Sequence, residues 1–153
     1  MKKKILITRK LLKENEDKLR KLFDVKLNSN DEIYTADKII ELSKDCDGIL
    51  SAITDQFNKD LINKLSLSIK IIANFAVGYG NIDVHAAKER NIVVTNTPEV
   101  LDDSTADISI LLLLGASRKV LEARRAAERQ DWKWSADFML GKQMSNKRLG
   151  ILG

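Results

Sequence analysis

Five short apolar runs separated by stretches of helical spacing decide what the first hundred residues can fold into. Residues 5–7, 23–27, 49–52, 69–73 and 92–95 read as strands. Between them, Leu11, Leu12, Leu19 and Leu22 fall on one face of a helix over 10–22. Ile39, Ile40 and Leu42 share a second helix, capped by Thr35. Asn58 caps a third, carrying Leu61, Ile62 and Leu65, and a short fourth spans 83–90. Strands joined through helices pair in parallel by right-handed crossovers, and such a sheet is covered on both faces. The expected fold class is α/β: a flavodoxin-like, doubly wound, five-stranded parallel sheet with ligands at the strands' carboxyl ends.

After residue 95 the pattern changes. Pro98, the single proline, biases Thr97 toward extended geometry and breaks the alternation. Asp102 or Asp103 can cap one long helix running to about Arg129, roughly 40 Å at 1.5 Å per residue. Its first half, with Ile108, Ile110 and Leu111 to Leu114, is apolar nearly all round and is expected to lie buried between two bodies. Its second half, from Arg118 to Arg129, reads as a charged, solvated face. An irregular arm over 132–144 and a new strand over 148–153 follow. The chain thus divides into a compact domain, 1–100, and a second part, 101–153, made of long crossover helix, arm and the start of another domain.

Composition narrows the functional classes. The 153 residues carry a net charge of +4, much of it from Lys2, Lys3 and Lys4, which read as a solvated lead-in to the first strand. Only 5% are aromatic, with no interleaving of basic and aromatic side chains, so nucleic acid is not an expected partner. Cys46, the lone cysteine, allows no intrachain disulfide and reads as a small buried residue. The most apolar window, 108–116, is bounded by Asp107 and Arg118 and is too short to cross a bilayer. Neither a membrane nor a metal is expected, and the expected location is cytoplasmic. His85, the one histidine, reads as a surface residue on the fourth helix.

The stretch from Asn74 to Asp83, N-F-A-V-G-Y-G-N-I-D, carries the strongest hint of chemistry. A glycine-containing turn from a strand's carboxyl end into a helix leaves backbone N–H groups unpaired, and these favour an anion in the crevice above the sheet. A carboxylate or phosphate held near Val77 and Gly78 is one reading. An ordinary tight connection, with glycine supplying positive φ, is the other.

Taken with V-T-N-T-P-E-V-L (Val94 to Leu101), S-T-A-D (Ser104 to Asp107) and the closing L-G-I-L-G, this loop resembles the D-isomer-specific 2-hydroxyacid dehydrogenases. The glyoxylate/hydroxypyruvate reductase branch is the most similar, and the resemblance runs the length of the chain. The last motif resembles a strand and the first glycine of a dinucleotide fingerprint. One departure is Gly80, where the family usually has Asp, which implies a looser loop with the amides of Val77 and Gly78 kept in place.

The resemblance implies two doubly wound domains with the active site in the cleft between them. Val77 and Gly78 would bind the carboxylate of a small 2-oxoacid through backbone N–H groups, and Ile53 would line the same pocket. Leu101, Thr105 and Gly153 would serve the cofactor, NAD or NADP in the complete enzyme, with none expected bound to this chain. Phe138 aligns with a tryptophan position that reaches a neighbouring subunit's active site, which implies a homodimer, while Trp132 and Trp134 pack the arm. The family's catalytic Arg, Glu and His match no residue here. The chain therefore reads as the truncated N-terminal part of an NAD(P)-dependent oxidoreductase, with no catalytic residue and no activity of its own.

Other classes fit less well. A stand-alone flavodoxin-like module without catalysis, dimerising through the long helix, is the alternative. A signalling receiver would need acidic residues where Thr8-Arg9 and Ser51-Ala52 stand, and flavin phosphate would need a loop unlike the segment after Thr8. If the long helix lacks a natural cover, it should either fold back over the first domain or pair with a second chain. Exposure would forfeit about 1.5–3 kcal/mol for each Leu or Ile.

Overall fold

The computed structural model describes residues 2–130 and 132–152. Five strands, β1 (Lys4–Ile7), β2 (Asp24–Lys26), β3 (Gly48–Ala52), β4 (Ile71–Phe75) and β5 (Val93–Thr95), form one sheet in the order β2-β1-β3-β4-β5, with every pairing parallel. Helices α1 (Lys13–Leu22), α2 (Ala36–Ser43), α3 (Lys59–Lys64) and α4 (Val84–Glu89) make the crossovers. The α/β, five-stranded parallel sheet expected from the strand and helix spacing is present. The chain separates into two compact units, Met1–Val100 and Leu101–Gly153.

Local chemistry starts the helices. The side chains of Thr35, Asn58 and Asp83 accept from the N–H groups of Lys38, Leu61 and Ala86, each satisfying a donor that the first turn leaves without an intrahelical partner. Alternation along the strands then sorts the sheet's two faces. Leu6, Ile49 and Ile72 point to one side and join Ile39, Leu61, Ile62, Ala86 and Ala87 of α2, α3 and α4 in a single core with fully buried Phe57 and Cys46. The Arg90 guanidinium closes α3's C-terminus by donating to the carbonyls of Ile62, Asn63 and Leu65 at 2.6–2.9 Å.

Several expectations need correction. The fourth strand begins at Ile71, not at residue 69. Ile69 is 2% exposed, but its N–H donates to Ser66 O in a turn, so its apolar character serves the core from a loop. Helix α1 starts at Lys13 and buries none of its residues; Leu12 and Leu22 stand 68% and 66% exposed. Lys3 and Lys4 are not merely a solvated lead-in, because they pair with Asp47 and Asp45 at 2.7 and 2.6 Å. Their carboxylates sit in the turn that leads into β3.

The second unit departs further. Its long helix is two helices, α5 (Asp102–Ser117) and α6 (Val120–Arg129). Lys119 takes a left-handed conformation, φ 53°, and ends the run. The arm stabilises the break. Lys142 N–H donates to Ser117 O at 2.7 Å, and a Cβ on Gly141 would stand 2.7 Å from that same oxygen, so only glycine permits the approach. Neither Asp102 nor Asp103 caps α5; both lie inside its first turn, and Leu101 holds the cap position without a side-chain bond. No residue of α5 is buried, against the expectation for its apolar half: Ile108, Leu111 and Leu112 are 55–65% exposed. A helix apolar on every side needs partner surface on every side, and its own unit supplies only one further helix and an arm. Residues 148–152 form no strand, since no neighbour offers a ladder. Among the described residues no helix is long and apolar enough to cross a membrane, and no group of His, Cys, Asp and Glu could hold a metal.

Candidate functional site

The parallel sheet puts the ends of β3 and β4 side by side, with Ala52 opposite Phe75. Two loops leave from there, one carrying Ile53 and the other Val77 and Gly78. Ile53 is 51% exposed and Val77 38%, and Gly78 lies open beside it.

The geometry of the second loop follows from which main-chain groups are tied. Ala76 O accepts from Thr97 N–H at 2.9 Å, Val77 O from Asn96 Nδ2 at 2.7 Å, and Gly78 O from Asn74 Nδ2 at 3.0 Å. In a trans peptide plane the N–H points opposite to the carbonyl, and the chain has no cis bond among the described residues. Three tied carbonyls therefore aim three N–H groups, those of Val77, Gly78 and Tyr79, away from their partners. None of these N–H groups meets an acceptor among the described residues. Buried donors without acceptors are costly, but exposed ones are ready for an anion.

The glycines do not play the conformational part expected of a tight turn. Neither Gly78 nor Gly80 has positive φ, and a Cβ on either would meet nothing within 4 Å. Their use is room: the space above the amides is open. The absence of an acid at position 80 leaves the loop closed by Ile82 N–H on Tyr79 O at 3.0 Å. At the start of helix α4, Asp83 Oδ1 takes Ala86 N–H at 2.9 Å.

Beneath the two loops lies a polar layer that periodicity gives no sign of. Asn74 and Asn81, 2% and 7% exposed, face one another, with Asn74 Nδ2 on Asn81 Oδ1 at 3.0 Å. Asn81 Nδ2 reaches Asp55 O at 2.9 Å and Ala52 O at 3.2 Å, holding the turn that bears Ile53. Ser51 Oγ donates to Asn74 Oδ1 at 3.2 Å. Asp55, 2% exposed, accepts from Thr8 Oγ1 at 2.5 Å and Ala52 N–H at 2.9 Å through Oδ2, while its Oδ1 has no partner among the described residues. The sequence clue is the pair of asparagines bracketing the glycine loop, a residue type that is rarely buried unless bonded.

Arg9 borders the same rim. Its guanidinium grips both oxygens of Asp31 at 2.8 and 2.9 Å and donates to Thr54 Oγ1 at 2.9 Å, beside Ile53. The Arg9 hydrogen bond, then the Lys10 N–H, holds the Asp31 carboxyl well below the usual carboxylate range, and Asp31 in turn raises Arg9. With Nε, Nη1 and Nη2 all engaged, Arg9 acts as a brace for the Ile53 turn.

The expected cofactor positions belong to the second unit. Leu101 is 52% exposed at the cap of α5, and Thr105 lies one turn in, its N–H on Leu101 O at 2.9 Å. Gly153 lies outside the described residues. Residues 148–152 form neither helix nor strand. Phe138 stacks on Trp132, ring centroids 5.6 Å apart and planes within 17°, which ties it into the arm of its own chain.

The family model described as D-isomer specific 2-hydroxyacid dehydrogenase, catalytic domain, matches residues 5–144. A glyoxylate reductase of Korarchaeum cryptofilum is 37% identical over 155 residues, covering 100% of this chain and 46% of the relative. Among solved structures, an NAD-binding protein of Polaromonas sp. JS6 66 assigned to the same family superposes with a TM-score of 0.86 at 32% identity, over 97% of this chain and 47% of the other. The NADPH-dependent glyoxylate/hydroxypyruvate reductase of Sinorhizobium meliloti, solved with NADP and malonate, gives 0.69 at 31% identity, over 86% and 40%. The chain spans less than half the length of these proteins.

Proposed function

The chain belongs to the D-isomer specific 2-hydroxyacid dehydrogenase family, and on that premise we propose that its first unit is the carboxylate-binding half of an oxidoreductase acting on a small 2-oxoacid. The observation that carries this reading is the row of unpaired N–H groups at Val77, Gly78 and Tyr79, each aimed by a tied carbonyl. Charge-assisted bonds from two such donors are worth about 1.5–3 kcal/mol each, enough to orient an acid and too little alone for tight binding. Ile53 lines the pocket on the β3 side, where an apolar wall suits a substrate as small as glyoxylate or hydroxypyruvate.

In the complete enzyme NADH or NADPH would supply the hydride that reduces the oxoacid to a D-2-hydroxyacid. Leu101 and Thr105 are the residues of this chain proposed to face that cofactor. An Arg to hold the oxoacid and a Glu-supported His to move the proton are not contributed here, so the 153 residues alone are proposed to be inactive. The exposed apolar surface of α5 supports a homodimer.

Glyoxylate titration of the 15N-labelled chain at constant ionic strength tests the seat. The amide resonances of Val77 and Gly78 should shift along one isotherm with a dissociation constant in the millimolar range or weaker. Unmoved resonances at these two positions would reject the seat. Measurable turnover of NADH or NADPH with glyoxylate would reject the proposed inactivity.

A further inference from the structure

Gly78 presents a problem that the seat does not solve by itself. With no Cβ, no positive φ and nothing within 4 Å of where a Cβ would be, no contact to its own side fixes its conformation. An anion seat works only if its donors are aimed before the anion arrives. Some other group must hold the Gly78 peptide.

We propose that Asn74 is the positioning residue of the anion seat, with Asn81 as its anchor, and that the two amides couple the Ile53 turn to the Val77–Gly78 loop. This rests on the carboxylate-seat reading above. The orientation of both side chains is decided by main-chain groups. Gly78 O, Ala52 O and Asp55 O can only accept, so the Nδ2 of Asn74 must face the first, at 3.0 Å, and the Nδ2 of Asn81 the other two. That leaves Asn81 Oδ1 facing Asn74 Nδ2 at 3.0 Å, and Asn74 Oδ1 facing the Ser51 hydroxyl at 3.2 Å. Reversing either amide would set oxygen against oxygen. The network therefore has a single arrangement: Asn74 Nδ2 donates both to Gly78 O and to Asn81 Oδ1, and Asn81 Nδ2 donates to the carbonyls flanking Ile53.

The consequence is geometric. Asn74 holds the plane that carries Tyr79 N–H and, through Gly78's own dihedrals, limits how far the Gly78 N–H can turn from its neighbour at Val77. Asn96 holds the preceding plane, which carries Gly78 N–H, from the exposed side. Asn74 is set apart because it links the Gly78 carbonyl to Asn81, and through Asn81 to the Ile53 turn, from within the protein, where water cannot replace its bonds.

The test uses the 153-residue chain and the glyoxylate titration. Asn74→Leu keeps the approximate volume and adds no charge, but cannot donate to Gly78 O. Glyoxylate affinity at the Val77 and Gly78 amides should fall about tenfold, the effect of one lost orienting bond, while the sheet amides of β1 and β3 keep their wild-type shifts. An Asn74→Leu chain that is folded and binds glyoxylate as the wild type does overturns the proposal. Should that variant not fold, the wild type decides. The Asn74 side-chain NH2 resonances should move with Gly78 on the same isotherm, and resonances that stay fixed while Gly78 moves overturn the proposal. A wild-type chain in which neither Val77 nor Gly78 responds rejects the seat itself, a different failure from intact binding that ignores Asn74.

Discussion

The two units contain apolar segments of similar strength and put them to opposite use. In the first, Ile62 of α3 is completely buried; in the second, Leu112 of α5 is 65% exposed. Helix α3 has one apolar face and meets a sheet that the same hundred residues build. Helix α5 is apolar nearly all round and its unit offers one further helix and an arm. Hydrophobic sequence therefore sets a demand for burial, and whether it is met depends on the surface that the rest of the fold supplies.

The largest test of that contrast is Phe57→Ala against Leu112→Ala. Phe57 is fully buried and its backbone joins the Ile82 segment, with Phe57 N–H on Asn81 O and Asp83 N–H on Phe57 O, each at 2.8 Å. Losing its ring should cost about 3–5 kcal/mol in urea unfolding followed by circular dichroism. Leu112→Ala should change stability by no more than about 0.5 kcal/mol. A large loss at Leu112 would break the comparison and show that α5 is covered in solution, as pairing with a second chain requires.

Next in size is Arg90→Ala, which frees three carbonyls at the end of α3. A loss of about 1–3 kcal/mol is expected in the same unfolding measurement. Arg90→Lys should restore only part of it, because a compact ammonium cannot span the positions a guanidinium fork reaches. In the second unit, where little is buried, the corresponding test is Gly141→Ala. The added methyl would meet Ser117 O at 2.7 Å, so the arm should lift and Lys142 N–H should exchange with solvent faster, with global unfolding nearly unchanged.

The smallest effects are electrostatic. Asp31 is held low by Arg9 and then by Lys10 N–H, Asp45 by Lys26 and then Lys4, and Asp47 by Lys3 and then Lys4 N–H. Each folded pKa lies below the unfolded value of about 3.9. Their stabilisation is thus present above that value and is lost as pH falls through the folded pKa. Asp31→Asn and Asp45→Asn should flatten the acid decline of the first unit's melting temperature, by little, since the pairs are exposed and salt screens them. An unchanged slope in both variants would remove these pairs from the account.

Some of this was readable at a distance of three or four residues. Thr35 and Asn58 announced their helices because a cap bonds within its own first turn. The glycine loop after the fourth strand was equally plain. Ile69 misled because apolar character alone does not distinguish a strand from a turn that dips into the core. The break at Lys119 had no local sign at all, as the bond beside it, Lys142 N–H on Ser117 O, comes from the arm.

What the amino-acid order determined by itself was the parallel α/β plan and the starts of α2 and α3. Those depend on periodicity and capping, which act over a turn or two of chain. What only the tertiary structure decided was which amides stay free and what aims them. Thr8 meets Asp55, 47 residues on, and Asn81 meets Ala52, 29 residues back, only after the register of β1, β3 and β4 brings their ends together. A hydrogen bond between distant residues leaves no spacing in the sequence, because its geometry belongs to the sheet.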